Sequence, residues 1–210
     1  AIAEALPLDR LVRAGPELAL VGLASGKLDA RLSPRGWDGS GTISLSGINL
    51  NDTPIGGGSL ELSFLDGTVQ AKGDIGSLDR YLSLNSLSYK FEDSVISAEI
   101  AAFNMNIKDV LTATKPIWSL NLNEVPELVS SIDGSFSGTA SIQSDKDSWS
   151  IGNSELILDE LSFLGRKAGK LTAKVSRQGS SWTVPSLDWK SGSTSLIASG
   201  SYDENGQIDA

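Results

Sequence analysis

The segment GTISLSGINLNDTPIGGGSLELSF, Gly41–Phe64, sets apolar residues on alternate positions. Ile43 and Leu45 are separated by Ser44, and Ile48 and Leu50 by Asn49. Leu60, Leu62 and Phe64 are separated by Glu61 and Ser63. Side chains along a strand point to opposite faces in turn, so this period of two predicts strands with one oily and one wet face. The pattern recurs at Leu82 and Leu84, then at Leu87, Tyr89 and Phe91. It returns at Phe103, Met105 and Ile107, at Trp118, Leu120 and Leu122, and at Phe136, Ala140 and Ile142. The second half adds Leu156 and Leu158, Leu161 and Phe163, then Leu171, Ala173 and Val175, and lastly Trp182 and Val184. Ser, Thr, Asn, Asp and Lys fill most positions between them. Asp66-Gly67, Gly73-Asp74, Gly179-Ser180 and Asn205-Gly206 supply turn chemistry, and Asn205-Gly206 suits a two-residue hairpin because both residues tolerate positive φ.

The phase flips at Gly47: Ile43 and Leu45 are odd-numbered, Ile48 and Leu50 even. A one-residue bulge would return the oily set to one face, and a separate tight turn accounts for the flip equally well. Three stretches leave the pattern. PLDRLVRAG places Leu8, Leu11 and Val12 at helical spacing between Pro7 and Gly15; NIKDVLTAT does the same with Ile107, Val110 and Leu111, and VPELVSS with Val125, Leu128 and Val129. These predict short helices that act as lids or plugs on a sheet edge.

The chain also resembles itself. PELALVGLASGKLDARLS from Pro16 is similar to PELVSSIDGSFSGTASIQ from Pro126, and INLNDTPIGGGSLELSF to LSFLGRKAGKLTAKV. Matching Gly26 with Gly134, and Leu60 with Leu171, gives offsets that agree within small loop changes. Weak duplication of this kind marks an extendable architecture. The expected organisation is a helical lead-in over 1–15, a β-rich repeat over 16–115 and a second over 116–210, continuous with the first.

A sheet with one apolar face must hide it under a second sheet, by closing into a barrel, or with something else. Covering a Leu-sized side chain stabilises by roughly 1.5–3 kcal/mol. Leaving about ten of them wet would forfeit on the order of 20 kcal/mol, more than the ~5–15 kcal/mol that holds a typical domain folded. Complete exposure is thereby excluded, whereas a narrow groove is not. The expected fold is mainly β: a long curved sheet forming a groove-shaped trough with an apolar interior, plus a few short helices. Its lining would be aliphatic, since aromatics make up only 6% of the chain. Such walls suit an aliphatic guest, and an ordinary core would use the same residues.

Composition narrows the chemistry. The 210 residues include no Cys and no His, which removes disulfides, thiol catalysis, Cys-based zinc sites, and the commonest general base and metal ligand. A net charge of −9, with no basic cluster interleaved with aromatics, argues against nucleic acid and against anionic headgroups held by a basic patch. No run of about 18 apolar residues could span a bilayer. The first residues, AIAEALPLDRLVRAGPEL, carry charges where a signal peptide needs an apolar core. The chain begins without Met and stops in mid-pattern at DENGQIDA, which reads as part of something longer.

No catalytic, metal-binding or cofactor-binding residues are expected. The carboxylate pairs Asp145 and Asp147, Asp159 and Glu160, and Asp203 and Glu204 fall in expected turns, where acidic residues are commonplace. DENGQID has a calcium-loop flavour without EF-hand spacing. IGGGS, Ile55–Ser59, lacks the Lys of a phosphate loop and reads as a flexible connector. Lys167 and Lys170 near Ser162 read as solvated loop lysines. Trp37, Trp118, Trp149, Trp182 and Trp189 sit near segment ends, as rim residues or as plugs that seal them.

Two stretches carry a family resemblance, from PELALVGLASGK to FLDGTVQAKG and from IDGSFSGTASIQ to SYDENGQID. A Pro/Leu helical lead-in, a Gly-x-(Leu/Phe) strand, two apolar alternates, a small turn with Gly, a further alternating strand and a polar hairpin follow one another. Together they resemble the repeating β-rich region of the TamB and AsmA-like family. The resemblance implies a taco-like trough in the periplasm of a diderm bacterium, its parent chain anchored in the inner membrane. It implies an outer-membrane barrel of the BamA superfamily as partner. The implied work is conduction of phospholipid between the membranes, and assistance in outer-membrane protein assembly and autotransporter secretion. No catalytic residue is carried over; the cargo would be acyl chains or an unfolded β-strand of a client. A structural or adhesive β-solenoid of a secreted surface protein is the alternative, and a carbohydrate-active β-sandwich a third.

Overall fold

A computed structural model describes residues 2–7, 19–34, 36–112, 131–144, 148–179, 181–203 and 208–209. The strands are β1 (Ile2–Pro7), β2 (Leu20–Ser33), β3 (Gly36–Leu50), β4 (Thr53–Leu65), β5 (Thr68–Gly76), β6 (Tyr81–Lys90), β7 (Val95–Asn106), β8 (Ile132–Ser144), β9 (Trp149–Phe163), β10 (Arg166–Gln178), β11 (Ser181–Ser191), β12 (Thr194–Tyr202) and β13 (Ile208–Asp209). All lie in one sheet in sequence order, and every pairing is antiparallel. Among the described residues β1 pairs only with β2 and β13 only with β12, so the sheet is open. The helical lead-in expected over 1–15 is a strand over Ile2–Pro7; Leu8, Leu11 and Val12 lie outside the described residues. So do residues 125–130 of the third expected helix.

Tight turns drive the meander. Asn51-Asp52, Asp66-Gly67 and Leu164-Gly165 each join two strands with both residues at positive φ (47 and 63, 48 and 71, 50 and 73). That geometry matches the right-handed twist of the strands it connects. Gly179 has φ 57 in the turn between β10 and β11. The tip at Asn205-Gly206 lies outside the described residues, although Tyr202 and Ile208 pair across it. Gly73 and Asp74, expected as a turn, lie inside β5, and the expected connector Ile55–Ser59 lies inside β4. Glycine serves a different need here: a Cβ on Gly58 or Gly73 would collide with the carbonyl oxygen of Asp74 or Ser59 on the neighbouring strand.

At Gly47 the bulge is the outcome. β3 continues through it at φ 59, and the register shifts between Leu45 and Ile48. Both side chains consequently stay on one face, 9% and 3% exposed, in a cluster with Ala24 that Leu20, Ile43, Ile55, Leu60 and Ile75 pack against.

Cross-strand partners share a face, so the register lays out apolar rows running across the strands. One row runs Ala24, Leu45, Gly58, Ile75, Leu82, Ala102, Gly138, Leu156, Ala173, Leu187, Ala198. A second runs Gly26, Ile43, Leu60, Gly73, Leu84, Ile100, Ala140, and a third Leu28, Gly41, Leu62, Ala71, Leu87, Ala98, Ile142, Ile151. Large and small residues often adjoin along these rows. The matched repeat positions fall on β2 and β8 (Gly26, Gly134) and on β4 and β10 (Leu60, Leu171). The sheet is continuous across the expected boundary at 115/116, which lies outside the described residues; β7 pairs with β8.

Candidate functional site

The apolar face is the feature that ordinary folding leaves unsatisfied. Among the described residues no large side chain is fully buried. The buried hydrophobic set is Ala24, Leu45, Ile48, Ala71, Ala98, Ile107 and Ala173, and four of those seven are alanines. Larger members of the rows, Ile43, Leu60, Leu62, Leu82, Leu84, Ile142 and Leu156, are only half-buried. Of these, Ile43 and Leu60 pair across β3 and β4 and pack against the Ala24, Leu45 and Ile48 cluster.

The expected lining residues divide as follows. Ile43, Leu45, Ile48, Leu50, Leu60, Leu62 and Phe64 share the apolar face of β3 and β4, and Leu82 and Leu84 continue it on β6. On β8 to β10 the face carries Phe136, Ile142, Leu156, Leu158, Leu161, Phe163 and Leu171. Val175 follows Ala173 at the next same-face position before the register shifts. Asp159 and Glu160, expected in a turn, lie within β9. Glu160, at φ 51, occupies a register irregularity that keeps Leu158 and Leu161 on one side.

Phe103 is a correction. It pairs with Tyr81 and stacks on it at 5.4 Å on the opposite face, 48% exposed. The reason is a second bulge, at Asn104 (φ 49), after which Met105 regains the apolar face opposite Phe136. A strict period of two across Phe103, Met105 and Ile107 misses this one-residue insertion. Ile107 leaves the strand altogether and begins a helical turn over 107–112, as the spacing of Ile107, Val110 and Leu111 predicts. Asn106 caps the turn: its Oδ1 accepts from the backbone N–H of Lys108 (2.8 Å) and Asp109 (3.3 Å). Leu120 and Leu122 lie outside the described residues. Ile75, Ile100 and Ile55 also belong to this face. Alternation does not single out Ile75 and Ile100 because their same-face neighbours are Ala and Gly (Ala71 and Gly73; Ala98 and Ala102), which register weakly as apolar, and Ile55 reaches this face beside a register shift.

The hollows do not follow the expected division. A hollow of about 670 Å³ spreads over β2 to β6 beside the ion pairs Lys27–Asp29 and Lys72–Glu61, both at 3.0 Å. Its lining mixes charged and Ser side chains with Gly41, Leu62, Ala71 and Leu87. A mainly apolar pocket of about 400 Å³ opens at one end of the sheet, where Leu50, Ile55, Leu82, Met105 and Phe136 meet Val110 of the helical turn. A polar pocket of about 340 Å³ adjoins it, with Asn104, Asp133, Ser135, Glu160 and Ser162; Arg80 and Asn106 line both.

Several charged side chains of the polar face are exposed and ion-paired. Lys170 Nζ donates to Asp159 at 2.9 Å, and this bond, followed by the backbone N–H of Glu160, holds the Asp159 carboxyl below its ordinary range. Lys170 and Lys167, expected on a loop, stand on β10, Lys167 opposite Ser162. The Asp93 carboxylate, by hydrogen bond and by charge, holds Lys90 above its ordinary value. Trp182 and Trp189 lie near the two ends of β11. The Arg177 guanidinium sits 5.2 Å from the Trp182 ring, and Trp189 Nε1 donates to the Ala168 carbonyl at 2.7 Å.

Among the described residues no group of three or more acidic side chains could hold a metal ion, and no helix is long and apolar enough to cross a membrane. What this arrangement offers chemically is apolar contact along one broad face and paired charge on the other. No protein-family model matches the chain, and neither a curated protein nor a solved structure matches it.

Proposed function

We propose that the protein is a non-enzymatic component of the cell envelope whose apolar sheet face conducts or shields phospholipid acyl chains between inner and outer membranes. The observation that carries this is the extent of one half-covered aliphatic face, with rows that cross the strands and no large side chain fully buried among the described residues. A covering guest gains roughly 0.8 kcal/mol per buried methylene, and the aliphatic walls impose no headgroup or hydrogen-bond requirement along the rows. The resemblance of the sequence to the TamB and AsmA-like family supports the same reading and extends it to a periplasmic setting with a BamA-superfamily barrel as partner. An unfolded β-strand client is the second reading. It is favoured by the edge of β12, where β13 pairs only with Ser201 and Tyr202 among the described residues. Such an edge offers main-chain hydrogen bonds to an incoming strand.

Mass spectrometry of an organic extract of the purified protein tests the first reading. Co-purifying phospholipid is expected. Leu62→Glu is the informative variant, because Leu62 pairs across the sheet with Gly41 and Ala71 and anchors no core. The variant keeps its β circular dichroism and loses the lipid. A lipid-free wild type, or a variant that unfolds, would count against a conduit and for an ordinary core.

A further inference from the structure

The rim shared by the two end pockets carries a pattern of charge that the apolar face lacks. Arg80 lies on the connection between β5 and β6 and lines both pockets; its guanidinium stands 3.8 Å from the Asp109 carboxylate. On the polar side Asp133 and Glu160 face the same hollow. Asp133 Oδ1 accepts the Gly134 N–H at 2.8 Å, which fixes that carboxylate at the pocket wall. Arg80 is the one cation among the residues lining the two pockets, against the carboxylates of Asp109, Asp133 and Glu160. A purely anionic head would meet net negative charge here. A head carrying both a phosphate and an ammonium would find a partner for each.

We propose that this rim selects phospholipids with a phosphoethanolamine head. An acyl chain enters the apolar pocket between Leu82, Met105 and Phe136, the phosphate meets Arg80, and the ammonium reaches Asp133 and Glu160. Three features choose the primary ammonium over a quaternary one. The polar pocket has no aromatic lining residue, so the cage that holds choline is missing. Its Ser and Asn oxygens and its carboxylates are hydrogen-bond acceptors, which a trimethylammonium cannot use. The carboxylates also give charge-assisted bonds to an N–H donor. This selectivity rests on the acyl-chain reading above and adds a headgroup preference to it.

The test offers the full chain vesicles made of equal parts phosphatidylethanolamine, phosphatidylglycerol and phosphatidylcholine with identical acyl chains. The protein is re-isolated and its lipid identified by mass spectrometry. Phosphatidylethanolamine is expected to be enriched about tenfold over the other two, the ratio that one charge-assisted hydrogen bond supplies. Asp133→Asn combined with Glu160→Gln removes the preference, read as equal proportions of the three lipids in the extract. The amide oxygen that replaces the Asp133 carboxylate can still accept the Gly134 N–H, so the fold has no cause to change. Arg80→Gln, on an exposed connection, lowers phosphatidylethanolamine retention independently. Equal retention of all three lipids, or preference for the glycerol head, overturns the headgroup site while leaving acyl binding intact. Absence of lipid in every arm overturns both.

Discussion

Leu164 occupies a conformation that suits few side chains. Its φ is 50 in the two-residue turn between β9 and β10, and the side chain is 67% exposed, so packing gives nothing back. Asn51 fills the same role between β3 and β4 at φ 47. Asn tolerates the left-handed region where Leu crowds the following carbonyl. Leu164→Asn is expected to stabilise the protein by about 0.5–1 kcal/mol, read as a raised denaturation midpoint at constant slope. Gly58 is the opposite case. A Cβ there strikes the backbone of β5, so Gly58→Ala is expected to cost about 2 kcal/mol or more. At Asp159 the folded pKa is lowered by the Lys170 hydrogen bond. The stabilising contribution is therefore present above the ordinary aspartate pKa and is lost as pH falls through the lower folded value. Lys170→Met should raise the Asp159 pKa toward its ordinary value in a carboxyl NMR titration; an unmoved pKa would reject this cause.

At the scale of elements, β12 stands apart. Thr194–Tyr202 reads TSLIASGSY and contains no charged residue, while each strand from β2 to β11 contains at least one. Leu196 is 54% exposed on the apolar face and Ile197 78% on the other. Most of its outer edge is unpaired among the described residues. Edges of this kind recruit other strands unless charge or Pro discourages them. Self-association that rises with concentration is expected, and Ile197→Lys should suppress it, both measured by sedimentation velocity. The strands themselves are legible from alternation and turn chemistry because each signal is local. Bulges are harder. Gly47 announces one through its flip of phase, while Asn104 gives no comparable warning and takes Phe103 to the other face. Glycines inside β4 and β5 read as a connector and a turn because the sequence does not record how closely a neighbouring backbone passes; Gly58 and Gly73 answer to that contact.

For the whole molecule, alternation specifies which face is oily but not where hollows form between strands. Bulges, close glycine contacts and the helical turn at 107–112 all fall outside a simple period of two. This is why the apolar rows can be read from the sequence and the hollow over β2 to β6 cannot. The rim pocket is hidden for a related reason: Arg80, Met105 and Phe136 come from three separate parts of the chain, and no spacing links them. Each strand packs on its sequence neighbours, so stability is expected to be graded along the sheet. Hydrogen exchange should be fastest in Thr194–Gly200 and slowest in β3 and β4, where the Ala24, Leu45 and Ile48 cluster sits. Uniform exchange across all strands would instead indicate all-or-none unfolding.

The strictly sequential strand order bears on biogenesis. A polypeptide threaded through a pore from its N-terminus could add each new hairpin to a template already in place, without waiting for a distant partner to arrive. Nascent segments would then spend little time with naked backbone. The one strand always at risk would be the latest to emerge.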